Sequence, residues 1–279
     1  MMVAGCGRID FAPAGPDAAP PDASSDCTAS PFRAPVLIAE LVGPGTDATL
    51  TLQANELAGA FWSGRDGNID LFAVTRPEMA APFTVSALTA LDSPNFDFDP
   101  SVSADGTSVV FASNRAGGAG GLDLYAGALP AGPAQLIAGV SSTADDQQAF
   151  TTADGTELYF ASNRTGPFEL YHSASTSPGM YAPPMPVAGI AVGNENNNDP
   201  VLALDGLAIF FRSDRDGLGD IFTATRATRF DAFGTATKIS NLSVDGSVAG
   251  PNWLSHDGCR LYLSSDRTGT PHVYVATRP

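Results

Sequence analysis

The sequence predicts an all-β protein, a single five-bladed β-propeller of four-stranded antiparallel blades. Three observations carry this: one motif recurs five times, each copy divides into short strands, and a further apolar segment precedes each copy. The motif is plainest as DPSVSADGTSVVFASNR at 99–115. It recurs without gaps as QAFTTADGTELYFASNR at 148–164, DPVLALDGLAIFFRSDR at 199–215 and PNWLSHDGCRLYLSSDR at 251–267. A worn copy, TLTLQANELAGAFWSGR, lies at 49–65. The motif serines Ser63, Ser113, Ser162, Ser213 and Ser265 are therefore spaced by 50, 49, 51 and 52 residues. A fixed period of this length marks units that bury their apolar faces on one another.

The first strand of each copy ends at a tight Asp-Gly turn, a strong signal between extended runs. The turns are Asp105-Gly106, Asp154-Gly155, Asp205-Gly206 and Asp257-Gly258, whereas the first copy has Asn55-Glu56. The second strand carries apolar residues spaced by two: Val109 and Phe111, Leu158 and Phe160, Ile209 and Phe211, Leu261 and Leu263. That is the period of a strand with one face committed to packing. Gly59 and Phe61 make the weakest version. Third strands open at Asp70, Asp123, Glu169, Asp220 and His272, and the run Gly117 to Gly121 lengthens one turn. Apolar segments at 35–41, 83–89, 134–138, 185–191 and 235–241 precede the copies and supply a fourth strand per blade. The chain starts on a fourth-type strand and ends after a third-type one, so 35–41 is expected to pair with the last copy and close the ring. No residues remain for a sixth blade.

The pattern D-P-x-x-S-x-D-G-x-x-x-x-F-x-S-x-R followed by D-L-Y resembles the WD-repeat-like motif of TolB-type propellers over essentially all of 35–279. The resemblance implies a β-propeller of a kind common in bacterial envelope proteins. It implies little about activity, because propellers serve as binding platforms and as accessory domains of enzymes. The chain departs from TolB in lacking its separate N-terminal domain and in showing five blades rather than six, so TolB's partners are not carried over.

Composition agrees with many short strands: 43% of residues are hydrophobic, only 16% are charged, and there are 29 Gly and 22 Pro. The formal charge of −16 repels phosphate backbones and argues against nucleic-acid partners. No apolar run approaches the length that crosses a bilayer. Val3-Ala4-Gly5-Cys6 resembles a lipobox, the site at which a bacterial lipoprotein is acylated on cysteine. Only five residues precede Cys6, fewer than a signal peptide's apolar region needs, so either the start lies upstream or the match is accidental. Residues 7–31, rich in Pro, Ala, Asp and Ser, read as a disordered tether. The expected organisation is a lipobox remnant at 1–6, the tether at 7–31 and the propeller at 32–279. The membrane is then met only through a lipid on Cys6. The expected location is the cell envelope, as an outer-membrane-anchored, periplasmic or secreted monomer.

If Cys6 is lipidated, Cys27 and Cys259 are left as a pair. Strand direction brings Cys27 toward the end of the last blade that holds Cys259, and a disulfide there would staple the ring. Arg65, Arg115, Arg164, Arg215 and Arg267 end the second strands, and four of them are expected to pair across the hairpin with Asp70, Asp123, Glu169 and Asp220.

Function is expected where the copies differ. The polar loops at 92–100, 143–148 and 194–200 enter the first strands around the channel mouth. Asp97, Asp99, Asp145, Asp146, Asn197, Asn198 and Asp199 are the expected binding residues for a protein, small ligand or glycan. Carboxylate and amide oxygens there could also take Ca²⁺, although no Ca²⁺-loop motif is present and no cofactor is otherwise expected. His172, His256 and His272 show no metal-ligand spacing, and no catalytic signature occurs. Trp62 and Trp253 read as core. The reading is a non-enzymatic envelope lipoprotein binding through its acidic loop face; the alternative is a carbohydrate-active or carbohydrate-binding propeller, since two carboxylates across a channel suit glycoside chemistry.

Overall fold

The computed structural model describes residues 27–279 except 178 and 192; the lipobox, Cys6 and the tether as far as residue 26 lie outside the described residues. Five antiparallel sheets form a ring. Blade 1 comprises Asp47–Leu52, Ala58–Ser63, Asp70–Thr75 and Thr84–Ala87, from inner to outer strand. Blade 2 comprises Asp97–Val102, Ser108–Ser113, Asp123–Ala128 and Gln135–Leu136. Blade 3 runs Asp146–Thr151, Glu157–Ser162, Glu169–Ser177 and Met185–Pro186, with Met180–Tyr181 folded back on its extended third strand. Blade 4 is Asn197–Leu202, Ala208–Ser213, Asp220–Thr225 and Thr237–Lys238.

Blade 5 takes three strands from the C-terminal end, Ala249–Leu254, Arg260–Ser265 and His272–Thr277, and its outer strand from Val36–Leu37. The closing register is Val36 opposite Val275 and Leu37 opposite Tyr274. The expected strand 35–41 thus closes the ring with only two strand residues; Ala39–Leu41 turn into a 3₁₀ helix. Arg33 N–H donates to the Thr277 carbonyl at 2.8 Å and Ile38 N–H to Val273 at 3.0 Å, extending the closure on both sides. Cys27 and Cys259 are joined by a disulfide, with Cα atoms 5.6 Å apart.

Apolar side chains gather in five clusters, one at each blade–blade interface. The interface of blades 5 and 1, for example, buries Leu50, Leu52 and Phe61 against Trp253, Tyr262 and Val273. This is the physical content of the period-two pattern: each sheet buries one face on the blade before it and one on the blade after it. Gly59 shows why the first copy looked worn. A Cβ there would lie 2.1 Å from the Thr51 carbonyl oxygen, so the backbones approach too closely for any side chain. Nor is the turn at 55–56 lost. Glu56 takes the left-handed φ of 60° where Gly106, Gly155, Gly206 and Gly258 take 67–73°.

The motif arginines make one repeated clasp, and it differs from the expected hairpin pairs. Arg65, Arg115 and Arg164 pair with the acid that opens the inner strand of their own blade, Asp47, Asp97 and Asp146. Arg215 finds Asn197 at the same place, 2.8 Å away. In these four blades the guanidinium Nε donates to the motif serine. All five arginines also donate to a carbonyl of the loop leading into the blade, such as Leu91 at 2.6 Å from Arg115. Arg65, Arg115, Arg164 and Arg215 each lie over two aromatic rings of their blade and Arg267 over Tyr274, with Arg115 5.0 Å from the centroids of both Phe111 and Tyr125. The third-strand acids turn elsewhere: Asp70 to Asn68, Asp123 to the N–H groups of Ala119 and Gly120, Glu169 to Asn197, and Asp220 to Lys238. The inner-strand acids Asp47, Asp97 and Asp146 are fully buried beside the guanidinium, where an ion pair is screened least.

Candidate functional site

The central channel is lined by the inner strands, and in four blades these strands share a backbone irregularity. Thr49, Asp99, Gln148 and Asp199 hold φ values of 53°, 51°, 54° and 52°. All four occupy one register position, inside a bulge that interrupts pairing between inner and second strands. Left-handed backbone at a residue other than glycine costs roughly 1–3 kcal/mol, most for a β-branched residue such as threonine. Blade 5 has Pro251 at this register, which cannot adopt that φ, and its bulge moves to between Pro251 and Trp253.

The bulge decides where the acids point. Residues two apart in a regular strand face the same side, so Asp97 and Asp99 should share a fate. The left-handed turn at Asp99 separates them. Asp97 is wholly buried in the arginine clasp, and Asp99 lines the channel. Asp146 and Asn197 likewise serve clasps, while Asp199 lines the channel. Asp145 accepts the Leu122 N–H at 2.9 Å and binds Asn163. Asn198 is buried beside Asp199 in the strand. Of the seven expected binding residues, the channel therefore gathers Asp99 and Asp199.

Around these two the channel adds Thr49, Trp62, Gln148, Arg212 and Asn252, enclosing about 180 Å³. Thr49 Oγ1 donates to Asp99 Oδ1 at 2.8 Å, and Trp62 Nε1 lies 3.1 Å from both of those oxygens. Arg212 Nε is 2.9 Å from Asp199 Oδ2. The Asp199 N–H donates to Gln148 Oε1 at 3.4 Å. Space for the Asp199 carboxylate comes from Gly250, where a Cβ would lie 2.3 Å from Oδ2. Trp62 thus lines the channel as well as packing against the core of blades 1 and 2, whereas Trp253 is buried between blades and stacks on His256. The sequence did carry a signal for Trp62 and Arg212. They stand at one motif position, where the other copies have Ala112, Ala161 and Ser264.

Electrostatics separate the two acids. Burial, with Asp199 nearby, pushes the Asp99 carboxyl up to about 7, against hydrogen bonds from Thr49 and Trp62 and the charge of Arg212. Asp199 is also raised by burial, but Arg212 opposes the shift. The folded protein thus keeps a proton on Asp99 that the unfolded chain loses near pH 3.8. That contribution to stability is complete below the unfolded value and is lost as pH rises through about 7. Asp99→Asn, which cannot ionise, is therefore expected to gain several degrees of melting temperature relative to wild type between about pH 4 and pH 8. Thermal scans of both proteins across that range check it; parallel curves would refute the assignment.

Among the described residues no group of three or more His, Cys, Asp or Glu side chains is placed to hold a metal ion, and no helix is long and apolar enough to cross a membrane.

No family model matches the sequence, and no curated protein matches it. Solved structures do match. The endo-arabinase of Bacteroides thetaiotaomicron superposes with a TM-score of 0.60 at 16% identity, over 89% of this chain and 97% of that one. A structure described as TolB, from Agrobacterium tumefaciens, gives 0.54 at 15% identity, over 84% and 78%. TolB from Acinetobacter baumannii gives 0.52 at 18% identity, over 84% of this chain and 55%, about half, of that one. At such identities the likeness is one of fold: the chain is a five-bladed β-propeller, similar in fold to TolB and to the endo-arabinase.

Proposed function

We propose that the protein is a non-enzymatic propeller of the bacterial cell envelope that binds a small polar group, free or carried on a partner protein, in its central channel. The observation that carries the reading is the set of four strained inner-strand residues whose side chains line one cavity. Strain repeated at one register, where a regular strand would be cheaper, is a mark of a working site. An envelope location is supported by the disulfide, which suits an oxidising compartment. In this reading a lipid on Cys6 anchors the propeller to the outer membrane. The buried clasps leave Asp97, Asp146 and Asn197 to architecture, so the binding residues are Asp99 and Asp199 with Thr49, Trp62, Gln148 and Arg212.

A second reading has one observation in its favour. Asp99 is held toward its protonated form while Asp199 is paired with a guanidinium, and such divergence between two acids is what acid–base chemistry on a glycoside uses. The fold likeness to an endo-arabinase makes arabinan a fair substrate to try. Against it, the cavity is small for a sugar chain, and Asp99 is already engaged by Thr49 and Trp62.

One experiment separates the two. Wild type, Asp99→Asn and Asp199→Asn are incubated with arabinan and other polysaccharides and, in parallel, screened by thermal shift against small polar ligands and peptides. The expected result is no hydrolysis, together with stabilising ligands whose effect is lost in the variants, because a ligand bound only by the folded state must raise stability. Turnover that disappears in Asp99→Asn would replace the binding reading with the glycosidase.

A further inference from the structure

Among the described residues the cavity is lined by three carboxyl groups, Asp99, Asp199 and Asp266, and by one cation, Arg212. Asp199 has its counter-charge, the Arg212 guanidinium at 2.9 Å. Asp99, only 5% exposed, is met by the neutral donors of Thr49 and Trp62. A carboxylate buried without a cation is costly, and with three acids against one guanidinium the negative excess is relieved only if Asp99 keeps a proton or a positive group enters. The cavity beside it, about 180 Å³, is close to the volume of a side chain and far below that of a drug-sized pocket. Its wall includes the Trp62 indole, a ring system that attracts cations over its face, and the amide oxygen of Gln148. The protein's formal charge of −16 draws cations toward it from a distance.

Resting on the binding reading above, we propose that the channel takes an organic cation, a primary ammonium or a guanidinium group, seated against Asp99 as the second of two carboxylate–cation pairs. A metal ion fits less well. A hard dication such as Ca²⁺ wants six to eight oxygen ligands, and here the three cavity carboxylates are not grouped to hold a metal and one of them is already paired with a guanidinium that would repel it. An ammonium needs one carboxylate, a few acceptor oxygens and an aromatic face, and the channel has these.

Entry of the cation displaces the Asp99 proton, so affinity must rise with pH. The charged groups facing Asp99 within the cavity are Asp199 and Arg212 from blade 4 and Asp266 from blade 5; Thr49, Trp62 and Gln148 from blades 1 and 3 do not titrate. Since burial already pushes Asp99 to about 7, the proton and the cation compete across the neutral range.

The test is isothermal titration of the intact protein with agmatine, with cadaverine and with an acetylated, amidated Gly-Lys-Gly peptide, alongside CaCl₂ and arabinose. Amines are expected to bind, at least about tenfold more tightly at pH 8 than at pH 5.5, with proton release seen as a buffer-dependent heat. Asp99→Asn should lose about tenfold or more in affinity together with the pH dependence. Arg212→Met should do the opposite, because removing the resident guanidinium leaves Asp199 to take a cation; a gain in amine binding cannot come from damage to the fold. Binding of the peptide but not of the free amines keeps the proposal and assigns the source to a partner protein's lysine. Binding of both assigns it to the cationic group alone. Channel binding of arabinose or Ca²⁺ with the amines silent would overturn the cation while leaving the binding reading intact. Ligands of every class left unaffected by Asp99→Asn would remove both.

Discussion

Reducing the Cys27–Cys259 disulfide is expected to lower the melting temperature by about 10 °C or more, a shift on the scale of several kcal/mol for a domain of this size. The size of the effect follows from the shortness of the closing strand and the length of the loop that the disulfide closes. The closing strand contributes two residues, Val36 and Leu37, flanked by two further backbone hydrogen bonds. Phe32 and Ile38 add apolar packing at the two interfaces of blade 5, and the disulfide links positions 232 residues apart. Chain-entropy reasoning for so long a loop gives roughly 5 kcal/mol, at the upper end of what native disulfides contribute. Calorimetry with and without reductant, and of Cys27→Ser with Cys259→Ser, measures it. A shift below about 2 °C would mean that strand pairing alone closes the ring. Thiol titration of the unfolded, unreduced protein should find Cys259 blocked.

The second large effect is expected at Glu56, the residue that replaces glycine in the first copy's turn. Its side chain crosses from blade 1 to blade 5 and is nearly buried. Oε1 lies 2.6 Å from Arg260 Nη2, Oε2 accepts the Tyr262 hydroxyl at 2.9 Å, and Arg260 Nε is 3.0 Å from both oxygens. Arg76 adds a longer pair at 3.9 Å. Burial and the neighbouring Glu56 charge push the Tyr262 hydroxyl far above its usual range, so it stays a donor. Removing one partner of a buried charged network leaves the others unpaired and costs about 3–5 kcal/mol. Glu56→Ala is expected to fall in that range in urea unfolding, and Glu56→Gln, which keeps some of the hydrogen bonds, to fall between it and wild type. A Glu56→Ala loss under about 1 kcal/mol would show that the apolar interface of blades 5 and 1 holds without the latch. What reads as decay of the motif in the first copy is therefore a specialised turn at the ring's last joint.

Much of the molecule was legible in the chain. A period near 50 residues, Asp-Gly turns and alternate apolar positions fix five blades, because strand pleat and interface packing allow those residues little else. The pairing of 35–41 with the last copy followed from strand count alone. The channel was only half legible. Asp99 and Asp199 stood out as acids, but so did Asp97, Asp145 and Asp146. Nothing in the residue types tells an acid aimed at the channel from one sunk beside an arginine.

That choice was made by tertiary structure. Whether the motif arginine meets the acid opening the first strand or the one opening the third depends on which carboxylate the packed blade places beside the guanidinium, and Asp97 rather than Asp123 fills that place. Whether Asp99 follows Asp97 into the interior depends on one left-handed residue in each inner strand, which threonine and glutamine adopt in blades 1 and 3 against their own preference. Local sequence sets a strand's period; only the closed ring, with five inner strands meeting on one axis, makes breaking that period worthwhile. The sequence by itself determined the propeller and its closure, and the tertiary structure alone decided which polar groups face the channel.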